Sequence, residues 1–210
     1  PNPRRKGRMQ SKILIGGTGR AGTTLLVRIL TCAGLETGFK ESEFTQIEGS
    51  IGRAGLEFPV SYANRNHLPV VVKSPHLVEV LPRILEEKWF QIGLAIIPIR
   101  DLSGATASRC RVHQKALDLE ICPQSVPGGL WKTANPADQR LILAENFYRT
   151  VEPLIAHEVP HLFLSFPKFA KDIEYFDRTL GSTLEKSFGL DRLRLRNAHM
   201  KQCNLNLIFD

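Results

Sequence analysis

The sequence predicts an α/β fold: a parallel sheet with helices on both faces. Three observations carry this. Short runs rich in Ile, Leu and Val alternate along the chain with stretches of helical periodicity, the pattern left by strand–helix–strand crossovers. The runs are continuous, as in Val70-Val71-Val72 and Ala95-Ile96-Ile97, which is expected of strands covered on both faces. The first run ends in Gly16-Gly17 and gives way within a few residues to a helical pattern, so a strand turns through a tight loop directly into a helix.

Residues 12–15 are the first strand. A helix starts near Gly22, carries Leu25, Leu26, Ile29 and Leu30 at helical spacing, and ends near Gly34. Residues 69–73 are the second strand, followed by a helix with Leu77, Val80, Leu81, Ile84 and Leu85 on one face. Residues 92–99 read as strand and 103–119 as helix. Residues 124–135 contain Pro127, Gly128, Gly129 and Trp131 and read as a loop or lid. A long helical pattern covers 136–158, a fourth strand 161–166, and a last clear helix 169–188.

Composition bounds the rest. With 210 residues, 42% hydrophobic and 23% charged, the chain suits a single globular domain over 12–210, large enough to bury a core without metals or disulfides. Residues 1–11 are basic and are expected to form a disordered, solvated tail. The chain starts at Pro1 with no signal-type apolar stretch behind it, and a targeting segment ahead of Pro1 would lie outside it. No apolar run is long enough to cross a bilayer. The four cysteines, Cys32, Cys110, Cys122 and Cys203, are widely spaced without C-x-x-C, so a reducing, cytoplasmic setting is the expectation and Cys32 reads as a small core residue.

A net charge of +7 favours polyanionic partners. It concentrates partly in Arg4-Arg5-Lys6-Arg8, read as a solvated tail, and in Arg192, Arg194, Arg196 and Lys201, for which a solvated helix face is one of the readings. No zinc-finger spacing or aromatic-interleaved motif points to nucleic acid, which leaves anionic lipid and phosphorylated cofactors as candidates.

The most informative stretch is Ile15-Gly16-Gly17-Thr18-Gly19-Arg20-Ala21-Gly22-Thr23-Thr24. Backbone N–H groups and a helix dipole converge where a glycine-rich loop enters a helix, which makes an anion site. Thr23 and Thr24 add hydroxyl donors, and Arg20 a planar cation. As a Walker loop the match is G-x-x-x-x-G with Thr23 where lysine belongs, so a P-loop-like fold is expected but not the usual NTPase chemistry.

The segment Gly19-Arg20-Ala21-Gly22-Thr23-Thr24 resembles instead the 5′-phosphosulfate loop of sulfotransferases. A second segment agrees. Arg100 closes the third strand and Ser108 follows eight positions later, similar to the Arg and Ser that hold the 3′-phosphate in that family. Leu102 stands where the family often has Pro. Lys73-Ser74-Pro75-His76 resembles the family's strand ending in Lys-Ser/Thr-Pro. Phe166-Pro167-Lys168 stands more distantly for an aromatic-acidic stretch, with Phe166 placed near adenine or simply in the core. The resemblance runs at low density over residues 12–190.

It implies a sulfotransferase that moves a sulfuryl group from 3′-phosphoadenosine-5′-phosphosulfate (PAPS) to a hydroxyl or amine and releases the 3′,5′-bisphosphate (PAP), with no metal expected. The acceptor, whether carbohydrate, peptide, lipid or small molecule, is not written in the sequence. Gly19, Arg20, Ala21, Gly22, Thr23, Thr24, Arg100, Ser108 and Phe166 are the expected donor-binding residues, and Lys73 is expected to reach the transferring group. Glu41 is the favoured base by its resemblance in placement to tyrosylprotein-type enzymes, ahead of His76 and then Glu43. Arg194, Arg196 or Lys201 are candidates to complete the 3′-phosphate site. A small-molecule P-loop kinase using ATP and a non-catalytic nucleotide-binding module are the competing expectations.

Overall fold

The computed structural model describes residues 11–74 and 76–203. Residues 1–10 of the expected basic tail at 1–11, and the Pro75 of the Lys-Ser-Pro stretch, lie outside them. Four strands, β1 (Lys12–Ile15), β2 (Val71–Lys73), β3 (Ile92–Ile99) and β4 (His161–Ser165), form one sheet in the order β2-β1-β3-β4. Every pairing is parallel. The α/β architecture read from the sequence is the one observed.

Side chains alternate across a strand, and β1 uses this to fill two cores. Ile13 and Ile15 face one layer with Leu94, Ile96 and Leu164. Leu14 faces the other with Val72, Ala95 and Ile97. The first layer is covered by α1 (Thr23–Cys32), through Leu26, Ile29 and Leu30, and by the C-terminal helices. The second is covered by α3 (Leu77–Glu86), through Leu77, Leu81 and Ile84, and by Leu154 of α5 (Gln139–Ala156). Between α1 and β2 lies a short helix, α2 (Phe44–Glu48), entered through a 3-10 turn at Glu41–Glu43. After β3, α4 (Leu102–Asp118) is capped by Asp101, whose carboxylate accepts from the Gly104 amide at 2.6 Å.

The C-terminal part departs from expectation. The helix read over 169–188 is interrupted. It comprises α6 (Lys168–Lys171), α7 (Ile173–Phe176), a π-helical turn (Asp177–Gly181) and α8 (Ser182–Phe188). Asp172 takes an extended conformation and accepts from the Tyr175 amide at 2.9 Å, restarting the helix, as a short carboxylate side chain does when it competes with the backbone ladder. A further helix, α9 (Arg192–Gln202), packs on α1. The basic cluster on it is not simply solvated. Arg192 and Arg196 both pair with Asp177, and Arg196 also with Glu174.

Candidate functional site

Parallel sheets expose their ligand crevice at the carboxyl ends of the strands, and here that edge holds the glycine loop. Gly17, Gly19 and Gly22 have φ of 115°, 70° and 77°, and Arg20 itself is left-handed at 56°. Two of these glycines are required by close contacts. A Cβ on Gly19 would sit 2.5 Å from an Arg109 nitrogen, and one on Gly22 would sit 2.6 Å from the Phe166 ring. The loop then delivers α1, whose first-turn amides have no carbonyl a turn earlier to bond. No acidic residue occupies that first turn, which leaves the positive end of the dipole open to an anion.

A cavity of about 470 Å³ lies over this loop, a size that suits a nucleotide-scale ligand. Gly19, Arg20, Gly22, Thr23, Thr24, Lys73, His76, Arg100 and Phe166 all line it. Residues that span 147 positions of sequence, from 19 to 166, therefore meet at one place. Ala21 is fully buried behind the loop.

Lys73 reaches the start of α1 from the neighbouring strand. β2 is in parallel register with β1, Lys73 opposite Ile15, so its side chain leaves the sheet beside the loop. Its ammonium donates to the Thr24 hydroxyl at 3.0 Å and to the Gly55 carbonyl, and pairs with Glu57 at 3.2 Å. Lys73 is only 7% exposed. Burial pushes its pKa down, while Glu57 acts in the opposite direction.

Arg20 folds back across the site. Its Nε donates to the Ser108 hydroxyl at 3.0 Å and its Nη1 to the Gly52 carbonyl. Burial first, and then Arg100, Arg111 and Arg53, lower its pKa to about 10. Arg100 lies on the other side, its Nη1 3.4 Å from the Arg20 carbonyl and its guanidinium 5.7 Å above the Phe166 ring. Ser108 thus does not line the main cavity with Arg100; it lines a second one across Arg20. The expected pair flanks Arg20 rather than converging on one empty spot.

The residue the sequence reading missed is Arg109. It is 8% exposed and bridges two elements, donating to the Thr18 carbonyl at 2.9 Å and the Gly129 carbonyl at 2.6 Å. Its guanidinium lies 5.2 Å from the centre of the Trp131 ring. Its Nε is buried without a partner among the described residues, an uncompensated donor on a cationic group at the edge of the cavity. Burial and the nearby Arg20 bring its pKa to about 10. No motif spacing marks this residue; its neighbour Ser108 drew the attention. The segment at 124–131 that it holds lines the cavity roof, as a lid would.

The acid–base candidates divide. Glu41 and Glu43 are exposed and neither lines the cavity. Glu41 pairs with Lys201 at 2.5 Å, which lowers its pKa, and Glu43 accepts from the Lys40 amide at 2.6 Å to cap the 3-10 turn. His76 does line the cavity; its Nδ1 is 3.4 Å from Glu79, which Lys132 also holds at 2.6 Å. Glu57, not singled out from the sequence, lines it too, beside Lys73. The helix Arg192–Gln202 contributes Gln202 to the cavity, bonded to Arg28 at 2.8 Å. Arg194, Arg196 and Lys201 do not line it.

No protein-family model, curated protein or solved structure matches the chain. Among the described residues no helix is long and apolar enough to cross a membrane.

Proposed function

We propose that this P-loop-like domain is a sulfotransferase that takes PAPS in the cavity over the glycine loop. One observation carries the reading. Arg20, Lys73, Arg100 and Arg109 gather at a helix N-terminus, with Glu57 on Lys73 as the only acidic side chain paired to any of them among the described residues. Burial and then neighbouring cations lower the pKa of Arg20 and Arg109, and buried cations are costly together unless an anion joins them. The buried, unpartnered Nε of Arg109 and the close fit around Gly19 and Gly22 suit a phosphate held by backbone and guanidinium groups.

In this reading the donor supplies an activated sulfuryl group. The bond from sulfur to the acceptor oxygen or nitrogen forms as the sulfur–oxygen bond to the 5′-phosphate breaks. Thr23, Thr24 and the α1 amides hold the 5′-phosphate, Lys73 and Arg20 neutralise charge on the departing oxygen, and Arg100 holds the 3′-phosphate against Phe166. Ser108 orients Arg20; a direct bond from Ser108 to phosphate requires Arg20 to release it. His76 or Glu57 takes the acceptor's proton, a role in which groups inside the cavity supersede Glu41. Positioning and charge neutralisation carry such transfers.

One observation favours a second reading. Lys73 stands 3.0 Å from Thr24 and gives the loop a lysine from the neighbouring strand, as a kinase acting on ATP would need. Calorimetric titration of the protein with adenosine 3′,5′-bisphosphate, beside ATP with Mg²⁺, separates the two. The sulfotransferase reading predicts bisphosphate binding at least tenfold tighter; ATP preference would overturn it. His76→Ala and Glu57→Ala, assayed for bisphosphate release with an acceptor panel, distinguish enzyme from binding module. One of them is expected to cut turnover by roughly 10²-fold or more while leaving bisphosphate affinity within twofold.

A further inference from the structure

The second cavity, about 420 Å³, lies on the far side of Arg20 from the glycine loop. One wall is the face of α4 that carries Ser108, Arg111 and Lys115; the other is the chain after α2, from Glu48 to Arg53. Arg111 and Lys115 are four residues apart and so share a helix face. Both are exposed, and neither has an acidic partner among the described residues. The two acids nearby are already engaged: Glu48 pairs with Arg28 at 2.5 Å, and Asp118 accepts from Gln114 at 2.8 Å. Arg20, Arg111 and Lys115 thus enclose a concave space with an excess of positive charge.

We infer that this cavity binds an acidic group, a sulfate ester or carboxylate, carried by the acceptor. The inference rests on the donor reading of the first cavity. The glycines and threonines that would cradle the phosphosulfate line only the first cavity, and so does Arg100, which would hold the 3′-phosphate; on that reading an anion held by Arg111 and Lys115 belongs to a different molecule. Arg20 is the shared wall. Its guanidinium, fixed by Ser108 and the Gly52 carbonyl, faces an anion on either side, and acceptor charge and donor charge together relieve the repulsion among the arginines. Guanidinium and ammonium groups one helical turn apart suit a tetrahedral or planar oxyanion. An uncharged phenol or alcohol would leave them unsatisfied.

The test is calorimetric titration of the full chain with a sulfated heparin-type tetrasaccharide and with its desulfated, carboxyl-reduced counterpart. Adenosine 3′,5′-bisphosphate is run in parallel, on the wild type and on an Arg111→Ala, Lys115→Ala double variant. Both positions are exposed on a helix, and alanine preserves helix propensity; a matching thermal midpoint checks folding. The wild type is expected to bind the sulfated form and not the desulfated one. The double variant is expected to lose at least tenfold in that affinity while its bisphosphate affinity stays within twofold. Equal tetrasaccharide binding by variant and wild type, or none by the wild type, overturns the proposal. Parallel loss of bisphosphate affinity also overturns it, and assigns the cavity to the donor's own 3′-phosphate. Tetrasaccharide binding that depends on both residues, in a wild type that ignores bisphosphate, keeps the anion site and removes the donor reading.

Discussion

Lys73 is the residue in which opposing physical effects are most evenly set. Burial and the neighbouring Arg20 favour the neutral amine, while Glu57 favours the ammonium. Its folded pKa lies below the unfolded one, so between the two the unfolded chain binds more protons and stability rises with pH. Lys73→Met removes that alkaline rise. It removes one partner only: it leaves Glu57 without its cation and strands the Gly55 carbonyl, at about 1–3 kcal/mol, so the thermal midpoint at pH 7 is expected to fall as bisphosphate binding weakens. An unchanged midpoint in scanning calorimetry would contradict this. Arg109 should behave in the same way. Arg109→Leu strands the Thr18 and Gly129 carbonyls, at about 1–3 kcal/mol each, and a midpoint lower by several degrees is expected, with weaker bisphosphate affinity. Lys73 was legible in the sequence because it ends a strand. Arg109 was not: its partners are backbone carbonyls 91 and 20 positions away, and no residue type at a fixed spacing announces such a bridge.

At the scale of elements, strands and long helices could be read because burial writes a period into them. The runs that became β1 and β3 and the stripe on α3 reappear within a residue or two. The C-terminal elements obey other rules. Asp172 breaks the helix by capping it, Asp177 is held by arginines from another helix, and α9 buries Leu195, Ala198 and His199 while leaving Leu193 and Met200 exposed. Its apolar pattern is too sparse to mark a face. The base assignment failed to match the cavity for a related reason: counting residues from Arg20 to Glu41 cannot foresee that the intervening chain turns outward to meet Lys201. The docking of α9 has its own signature. His199 is buried, its Nε2 2.7 Å from the Phe169 carbonyl and its ring 4.7 Å from Phe176. Burial lowers its pKa, so its contribution is complete above the unfolded value near 6.5 and is lost as pH falls through the folded one. Thermal midpoints between pH 7 and 5 should therefore drop more steeply in the wild type than in His199→Gln. Parallel slopes would show that His199 does not titrate on unfolding.

At the scale of the whole molecule, the sheet order β2-β1-β3-β4 brings the ends of β1, β2 and β3 together, and with them the loop, Lys73 and Arg100. The segment at 124–131 joins this edge through Arg109, and through Gly52, where an added Cβ would collide with the Pro127 carbonyl. Arg20, Lys73, Arg100 and Arg109 thus meet at the strand ends, so nucleotide affinity should fall as salt rises. The central claim is that the first cavity recognises a 3′-phosphate through Arg100. The most direct measurement compares adenosine 3′,5′-bisphosphate with adenosine 5′-monophosphate by titration calorimetry, in the wild type and in Arg100→Ala. The wild type is predicted to prefer the bisphosphate by at least tenfold, and Arg100→Ala to erase most of that preference while binding the monophosphate as before. Equal affinities for the two nucleotides in the wild type, or a preference that survives Arg100→Ala, would contradict the account.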